Sequence, residues 1–218
     1  MKFFKSTWFK CIAVLLSIAV VLGGLLAILN DLLYVSPEER TGRAFEKIYG
    51  RTLSPNEYIT KLDVDSTNPD VEKQPKEYKN SQNEVIGFID KIYYVHKDDT
   101  DMTQDTNYDI LFRSTGKEGF KGGTVTLWVL VNVDGDFREI STVLIDSYDK
   151  QTFMSQLGSS YIGGFLIDIS NNYSTYFSAY KNKQKDGFKI NVAAGATKSS
   201  QAGCNAINCV IEYMKGVN

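Results

Sequence analysis

The sequence is poor in the residues that build metal centres. It has one histidine, His96, and three cysteines in 218 residues. A single imidazole excludes every site that needs two, including His-rich catalytic zinc sites and bis-histidine haem. Three thiols are too few for an all-cysteine iron–sulfur cluster or a disulfide-stapled scaffold. We therefore predict no metal site, and an ordinary surface or sheet-edge role for His96.

An excess of charge of either sign is also missing. Lys and Arg number 24, Asp and Glu 26, and the formal net charge is −2. Nucleic-acid-binding domains normally carry a basic excess, so this balance argues against a nucleic-acid partner. Residues 97–107 hold four aspartates but lack the glycine and glutamate spacing of an EF-hand. A solvated loop is expected there, with adventitious Ca²⁺ as the alternative.

One long uncharged run lies near the N-terminus. Residues 11–29 read CIAVLLSIAVVLGGLLAIL, and a helix of that length covers about 28 Å, close to the hydrocarbon thickness of a bilayer. The apolar part of a cleavable signal peptide has only about 7–15 residues. We predict a retained transmembrane anchor at residues 11–34, and a removed signal peptide is the alternative.

Charges on the two sides of this run predict its orientation. Lysines 2, 5 and 10 precede it, whereas Asp31, Glu38 and Glu39 follow it. The positive-inside rule then places residues 1–10 in the cytoplasm and the rest of the chain outside, as a single-pass protein of the cell membrane.

Residues 35–84 are predicted to form a short juxtamembrane helix and a polar linker. Ser36 followed by Pro37 and Glu39 is a typical helix start, and Gly50 is a natural stop. Residues 63–83 contain two prolines and few apolar side chains, which indicates a solvated loop or linker.

Strand-forming segments dominate the beginning of residues 85–218. We predict strands at 86–96, 108–113, 124–133 and 140–145, the last two joined by a turn at Asp134-Gly135. Residues 148–157 could be helical, 163–169 could be another short strand, and a C-terminal helix follows Ser200 and ends near Gly216. These elements predict an α+β fold with a central antiparallel sheet and flanking helices.

Two cysteines lie on the predicted C-terminal helix. Cys204 and Cys209 are five residues apart, so their α-carbons would be about 8–9 Å apart, beyond the usual limit for a disulfide. We expect buried free thiols.

The stretch NVAAGATKSS at residues 191–200 is the most informative for function. Its small residues let a ligand approach the backbone, and the step into a helix exposes N–H groups that suit a phosphate. A tight strand-to-helix connection explains the same composition about as well, so these residues alone leave both interpretations open.

The segment from Gly195 to Ser200 resembles the GAT-x-(T/S)-S signature of the FMN-binding domain family. Members of that family are the FMN-carrying subunits of the Rnf electron-transport complex and of the sodium-translocating NADH:quinone reductase (Nqr). Residues 116–127 (GKEGFKGGTVTL), followed by Asp134-Gly135, are similar to the family's G-x-GY-x-G-x-I run, strand and turn. The resemblance covers roughly residues 85–215 and identifies 85–218 as an FMN-binding-like domain.

The resemblance implies FMN joined to Thr197 through a phosphoester, installed by a flavin transferase that uses FAD as donor. It implies an electron-transfer subunit whose partners are other membrane redox subunits or quinone, with no catalytic acid or base of its own. A loose counterpart of the family's E-T-P-G-L-G loop lies at residues 151–158. The cofactor-binding residues implied are Gly195, Ala196, Thr197, Lys198, Ser199, Asn191, Thr152, Leu157 and Gly158.

Two residues depart from the pattern that flavin transferases usually accept. Asn191 stands where the family has Asp, and Ala194 stands where it has Ser or Thr. Two other interpretations therefore stay open: a flavin-free anchored domain that acts as a structural or partner-binding subunit, and a domain that binds FMN without a covalent bond.

Overall fold

A computed structural model of the protein describes residues 7–64, 67, 69, 71–80, 83–96, 107–152, 154–170, 176–178, 187–189 and 195–217. The chain divides into two units, Met1–Thr52 and Leu53–Asn218. Residues 97–106, which include most of the predicted aspartate loop, and residues 191–194 lie outside the described part of the chain.

The first unit contains two helices, α1 (Thr7–Leu33) and α2 (Pro37–Tyr49). From Lys10 to Leu33, α1 is unburied, and by length and composition it is long and apolar enough to cross a membrane. The start of α2 is confirmed, because the Ser36 hydroxyl accepts a hydrogen bond from the Glu39 N–H at 3.1 Å. Its predicted stop is confirmed as well, since Gly50 adopts a left-handed conformation with φ of 70°.

A six-stranded antiparallel sheet forms the centre of the second unit. Its strands are β1 (Tyr58–Asp63), β2 (Lys76–Lys79), β3 (Val85–His96), β4 (Asn107–Gly116), β5 (Val125–Asp134) and β6 (Phe137–Tyr148). The strand order is β1-β3-β4-β5-β6, and β2 pairs with the part of β3 that β1 leaves free. The predicted α+β class and antiparallel sheet are confirmed.

The longest predicted strands, which are rich in β-branched and aromatic residues, are strands in the structure. β5 pairs with β4 on one side and β6 on the other, and Leu127, Val129 and Val131 within it are fully buried. The turn after Asp134 contains Gly135 with φ of 54°, a backbone conformation that favours glycine.

Two helices and a small strand pair complete this unit. They are α3 (Ser159–Gly163), the parallel pair β7 (Tyr176–Ser178) and β8 (Gly187–Lys189), and the long helix α4 (Thr197–Met214). α4 packs across β3, β4 and β5. The Ser114 hydroxyl on β4 donates to the Ala206 carbonyl at 2.8 Å, and the Phe112 ring packs edge-on against Tyr213.

Three predictions for short segments are wrong. The described residues of 148–157 form no α-helix, because β6 continues to Tyr148, Lys150 turns the chain with φ of 56°, and Met154–Gln156 form only a 3-10 turn. Residues 163–169 form no strand, because α3 ends at Gly163 and a single bridge joins Asp168 to Glu139. The segment 63–83 is not wholly a linker, because it contains β2, whose backbone pairs with β3.

The cysteine prediction is confirmed. Cys204 and Cys209 are both free and fully buried on α4.

Candidate functional site

The backbone at the N-terminal end of α4 is exposed at Gly195. This residue has φ of 87°, and no atom of the described residues lies within 4 Å of the position a β-carbon would take there. Ala196 is the N-cap residue and offers no side-chain hydrogen bond to the helix. Ala196 thus leaves the N–H groups of the first turn without a cap from the N-cap side chain, and these groups carry the positive end of the helix dipole.

Thr197 and Lys198 are the first two residues of the helix. Thr197 is partly exposed and Lys198 is exposed, whereas Ala196 before them is buried. An 18-residue helix that begins here offers both N–H groups and a threonine hydroxyl to an anion.

The two serines that follow Lys198 hold the helix in place. The Ser199 hydroxyl donates to Gln151 Oε1 at 2.7 Å, and the Ser200 hydroxyl donates to the Ala196 carbonyl at 2.8 Å. Both serines are buried. The hydroxyl proton of Ser199 is thus already donated to Gln151 and is not offered to a ligand.

A glycine-rich segment lies beside this turn, and we call residues 116–123 the glycine loop. Its Phe120 N–H donates to Gln151 Oε1 at 3.0 Å, and its Gly119 N–H donates to the Gly123 carbonyl at 2.9 Å. The Asn205 side chain on α4 donates to the Lys117 carbonyl at 3.0 Å. The glycine loop thus contacts both the 149–152 segment and α4.

Gln151 and Tyr161 contact the same end of α4. Gln151 contacts Ser199, and the Tyr161 hydroxyl donates to the Ser200 carbonyl at 2.9 Å. Burial raises the pKa of Tyr161 well above its ordinary value, so the phenol stays protonated and keeps this donor role.

The members of the predicted ring-contacting segment have different surroundings. Thr152 is exposed, and Gly158 is exposed at the N-cap of α3. Leu157 is only 4% exposed and belongs to the hydrophobic core. A flavin ring beside this segment could therefore contact Thr152 and Gly158 directly, whereas Leu157 would support it from within the core.

The exposed charges nearest to the site in sequence are of both signs. Lys198 lies on the first turn, the glycine loop contains Lys121 and Glu118, and Lys150 precedes Gln151 and pairs with Asp149 at 3.5 Å. Within the described residues, no group of three or more His, Cys, Asp or Glu side chains is placed to hold a metal ion. Lys198 is the exposed cation on the first turn of α4 itself.

Two contacts of this site, those of Gln151 and Tyr161 with α4, could not be predicted from the sequence. The Gln151–Ser199 contact joins residues 48 apart, and the Tyr161–Ser200 contact joins residues 39 apart. The GAT-like motif and the segment 151–158 pointed to this region, but no local pattern pairs these residues with the two serines.

Fold and site together define a class of protein, an α+β domain in which two loops converge on the open N-terminus of a long, buried helix. Neither a scan of protein-family models nor a search of curated proteins finds a match for this chain. The resemblance to the FMN-binding family therefore rests on the motif residues themselves.

Proposed function

We propose that the protein is a membrane-anchored, extracytoplasmic flavoprotein that carries FMN on Thr197 and serves as an electron-transfer subunit of an Rnf-like or related membrane oxidoreductase. One observation carries this proposal. The threonine of the GAT-like motif is the partly exposed first residue of an 18-residue helix whose N-cap residue supplies no side-chain hydrogen bond, and Gly195 before it is exposed.

The residues around Thr197 suit a phosphate group. A phosphodiester on the Thr197 oxygen keeps one negative charge, and a helix N-terminus stabilises such a charge by about 0.3–1 kcal/mol. Lys198 adds an exposed cation on the same turn. In the attachment step the Thr197 oxygen forms a bond to the FMN phosphorus of FAD, the diphosphate bond breaks, AMP leaves and the hydroxyl proton is released.

The flavin, when bound, supplies one- or two-electron chemistry, and the protein supplies attachment and orientation. Thr197 holds the phosphate, the exposed backbone at Gly195 leaves room beside it, and Thr152 and Gly158 lie on the neighbouring segment that would contact the ring. No side chain of the chain needs to act as an acid or a base in this role.

The proposed location follows from α1 and its flanking charges. The N-terminus lies in the cytoplasm, α1 crosses the cell membrane once, and the domain, with helices flanking its sheet, lies outside. A flavin transferase attaches the cofactor, and other membrane redox subunits or quinone exchange electrons with it. Covalent attachment suits this location because it prevents loss of the cofactor by diffusion.

The test is to remove the hydroxyl of Thr197. We expect Thr197→Ala, coexpressed with a flavin transferase, to lose protein-bound flavin, measured as fluorescence of the denatured protein in a gel and as the mass of the C-terminal peptide. Thr142→Ala on β6, also partly exposed, is the matched control and should keep the wild-type signal. Covalent flavin that persists in Thr197→Ala would overturn the assignment.

A second candidate, a flavin-free anchored domain with a structural or partner-binding role, is favoured by Asn191 and Ala194. It predicts a colourless wild-type protein even when the transferase is present. The double variant Asn191→Asp, Ala194→Thr then shows whether the rest of the site can accept flavin. Flavin that is present but released in acid would instead indicate non-covalent FMN.

A further inference from the structure

One side-chain amide joins three separate segments at the N-terminus of α4. Gln151 Oε1 accepts hydrogen bonds from the Phe120 N–H at 3.0 Å and from the Ser199 hydroxyl at 2.7 Å. Its Nε2 donates to the Asp149 carbonyl at 2.6 Å. Because that donation fixes which way the amide points, Oε1 is held between the glycine loop and α4.

Two glycines make room for this amide. A β-carbon at Gly119 would lie 2.5 Å from Gln151 Nε2. A β-carbon at Gly123 would lie 2.4 Å from the same nitrogen and 2.1 Å from the Asp149 carbonyl oxygen. Backbone oxygens also exclude a β-carbon at both positions, at 2.6 Å for Gly119 and 2.1 Å for Gly123, so the loop backbone packs closely both on Gln151 and on its own neighbours.

We propose that Gln151 is a positioning residue that sets where the first turn of α4 stands relative to the glycine loop, and thereby orients the Thr197 hydroxyl for phosphoester formation. Gln151 itself need not touch the cofactor. It acts through Ser199, two residues after Thr197 on the same helical turn. The inference rests on the proposed function for its flavin readout, although the hydrogen bonds of Gln151 can be tested without flavin.

Glutamate and methionine separate the contributions of this side chain. Gln151→Met fills similar space but accepts and donates no comparable hydrogen bond. In Gln151→Glu, one carboxylate oxygen can still accept from the Phe120 N–H and the Ser199 hydroxyl. The other carboxylate oxygen has no proton to donate, yet it faces the Asp149 carbonyl oxygen. The proposal therefore predicts that the rate of Thr197 modification is highest with glutamine at position 151, lower with glutamate and lowest with methionine.

The experiment measures two properties of the folded, full-length variants. The first is the initial rate at which a limiting flavin transferase modifies Thr197, followed by intact mass and expressed per folded protein. We expect Gln151→Met to lower this rate roughly tenfold, because misplacement of a reacting group is costly, and Gln151→Glu to recover most of it. Gln74→Met, a change of an exposed glutamine before β2, should leave the rate unchanged.

The second property is amide hydrogen exchange at Phe120, which does not depend on flavin. We expect exchange at this N–H to be at least about fivefold faster in Gln151→Met than in the wild type, because its acceptor is lost. Should Gln151→Met fail to fold, Ser199→Ala tests the same link by removing the hydroxyl that joins α4 to Gln151, and it should also slow modification.

Failure of the inference and failure of the proposed function have different signatures. A wild-type protein that takes no flavin contradicts the proposed function, and Phe120 exchange then decides by itself whether Gln151 holds the loop. If the wild type is modified and a folded Gln151→Met variant is modified equally fast, the positioning role is overturned, even if that variant is less stable.

Discussion

Glycine residues on the sheet let α4 lie directly against the strands. A β-carbon at Gly116 on β4 would lie 1.8 Å from the Ala202 carbonyl oxygen and 2.5 Å from the Ala206 nitrogen. At Gly87 on β3, the nearest atoms would be the Thr115 carbonyl oxygen at 2.3 Å and Cys209 Sγ at 2.8 Å. The close atoms at Gly116 belong to backbone, so they cannot yield by a side-chain rotation.

We therefore expect Gly116→Ala to destabilise the protein by at least about 3 kcal/mol, since overpacking against backbone forces the helix away from the sheet. The free energy of unfolding in denaturant measures this effect. Gly163→Ala is the matched control, because nothing lies within 4 Å of its β-carbon position, and it should change stability by less than about 1 kcal/mol. Equal stability of the two variants would mean that α4 does not lie this close to β4.

Reading the sequence identified the glycine-rich run but not its partners. Gly116 lies against Ala202, and Gly119 lies against Gln151, although the two residues of each pair are distant along the chain. Such pairs depend on how the strands are ordered and how α4 crosses them. Propensity and spacing describe neighbours within one element, so they could predict that something approaches these glycines but not which residue does.

At the scale of whole elements, α4 is buried over nearly all of its circumference. Residues 199–211 are all buried, including the polar residues Gln201, Asn205 and Asn208. The Asn208 side chain pairs with the backbone of β7 as a neighbouring strand would, because it accepts from the Phe177 N–H and donates to the Phe177 carbonyl. The polar side chains thus satisfy their hydrogen bonds inside the protein, which allows a helix of mixed composition to serve as a core element.

The buried thiols of α4 make stability depend on alkaline pH. Burial raises the pKa of Cys209 from 9.0 to about 12 and raises that of Cys204 as well. In the unfolded chain both thiols ionise near pH 9, whereas in the folded protein they stay protonated. The stabilising contribution is therefore complete below pH 9 and is lost as the pH rises toward the folded pKa values.

We expect the free energy of unfolding to fall above pH 9 by up to about 1.4 kcal/mol per pH unit for each thiol. Between pH 9 and 10, Cys209→Ala should reduce the fall in the free energy of unfolding by up to the contribution of one thiol. This range is chosen because the tyrosines of the unfolded chain are not yet fully ionised there. Denaturant titrations at pH 8, 9 and 10 measure the slope. Ser155→Ala, which removes an exposed hydroxyl, is the control and should leave the slope unchanged. If Cys209→Ala also left the slope unchanged, the Cys209 thiol would be accessible to water.

Elements were predictable where local signals agree with tertiary packing. α2 has Ser36, Pro37 and Gly50 at its ends, and β5 is a continuous run of β-formers, so both were predicted close to their observed bounds. The predictions for the short segments were wrong because the conformation of these segments depends on partners that are distant along the chain. β2 is a strand only because β3 offers free backbone groups beside it, and residues 163–169 contribute only a single bridge to Glu139 on β6.

At the scale of the whole molecule, the division at Thr52 separates the apolar helix α1 from the unit that contains the sheet. The Leu53–Asn218 unit has its own core, formed by the sheet and α4, and it contains every described residue of the candidate site. The proposed chemistry is therefore a property of one unit, whereas the proposed location of that unit rests on α1 and the charges around the apolar run.

The orientation of the chain can be tested with thiols because the native ones in the second unit are hidden. Cys204 and Cys209 are fully buried, so a membrane-impermeant maleimide should not label them in the folded protein. Asp136 lies exposed in the turn between β5 and β6 and can carry a new thiol. We propose Asp136→Cys in a Cys11→Ala background, which removes the thiol at the start of the apolar run.

We expect the reagent to label Asp136→Cys in intact cells as strongly as after the membrane is opened, because Lys2, Lys5 and Lys10, which precede the apolar run, favour a cytoplasmic N-terminus and translocation of the rest of the chain. The Cys11→Ala background alone should stay unlabelled in both conditions and should become labelled only in denaturant. If labelling of Asp136→Cys requires an opened membrane, the domain lies in the cytoplasm. An extracytoplasmic electron carrier would then be ruled out even if Thr197 bears flavin, and the orientation predicted from the lysines before the apolar run would be wrong.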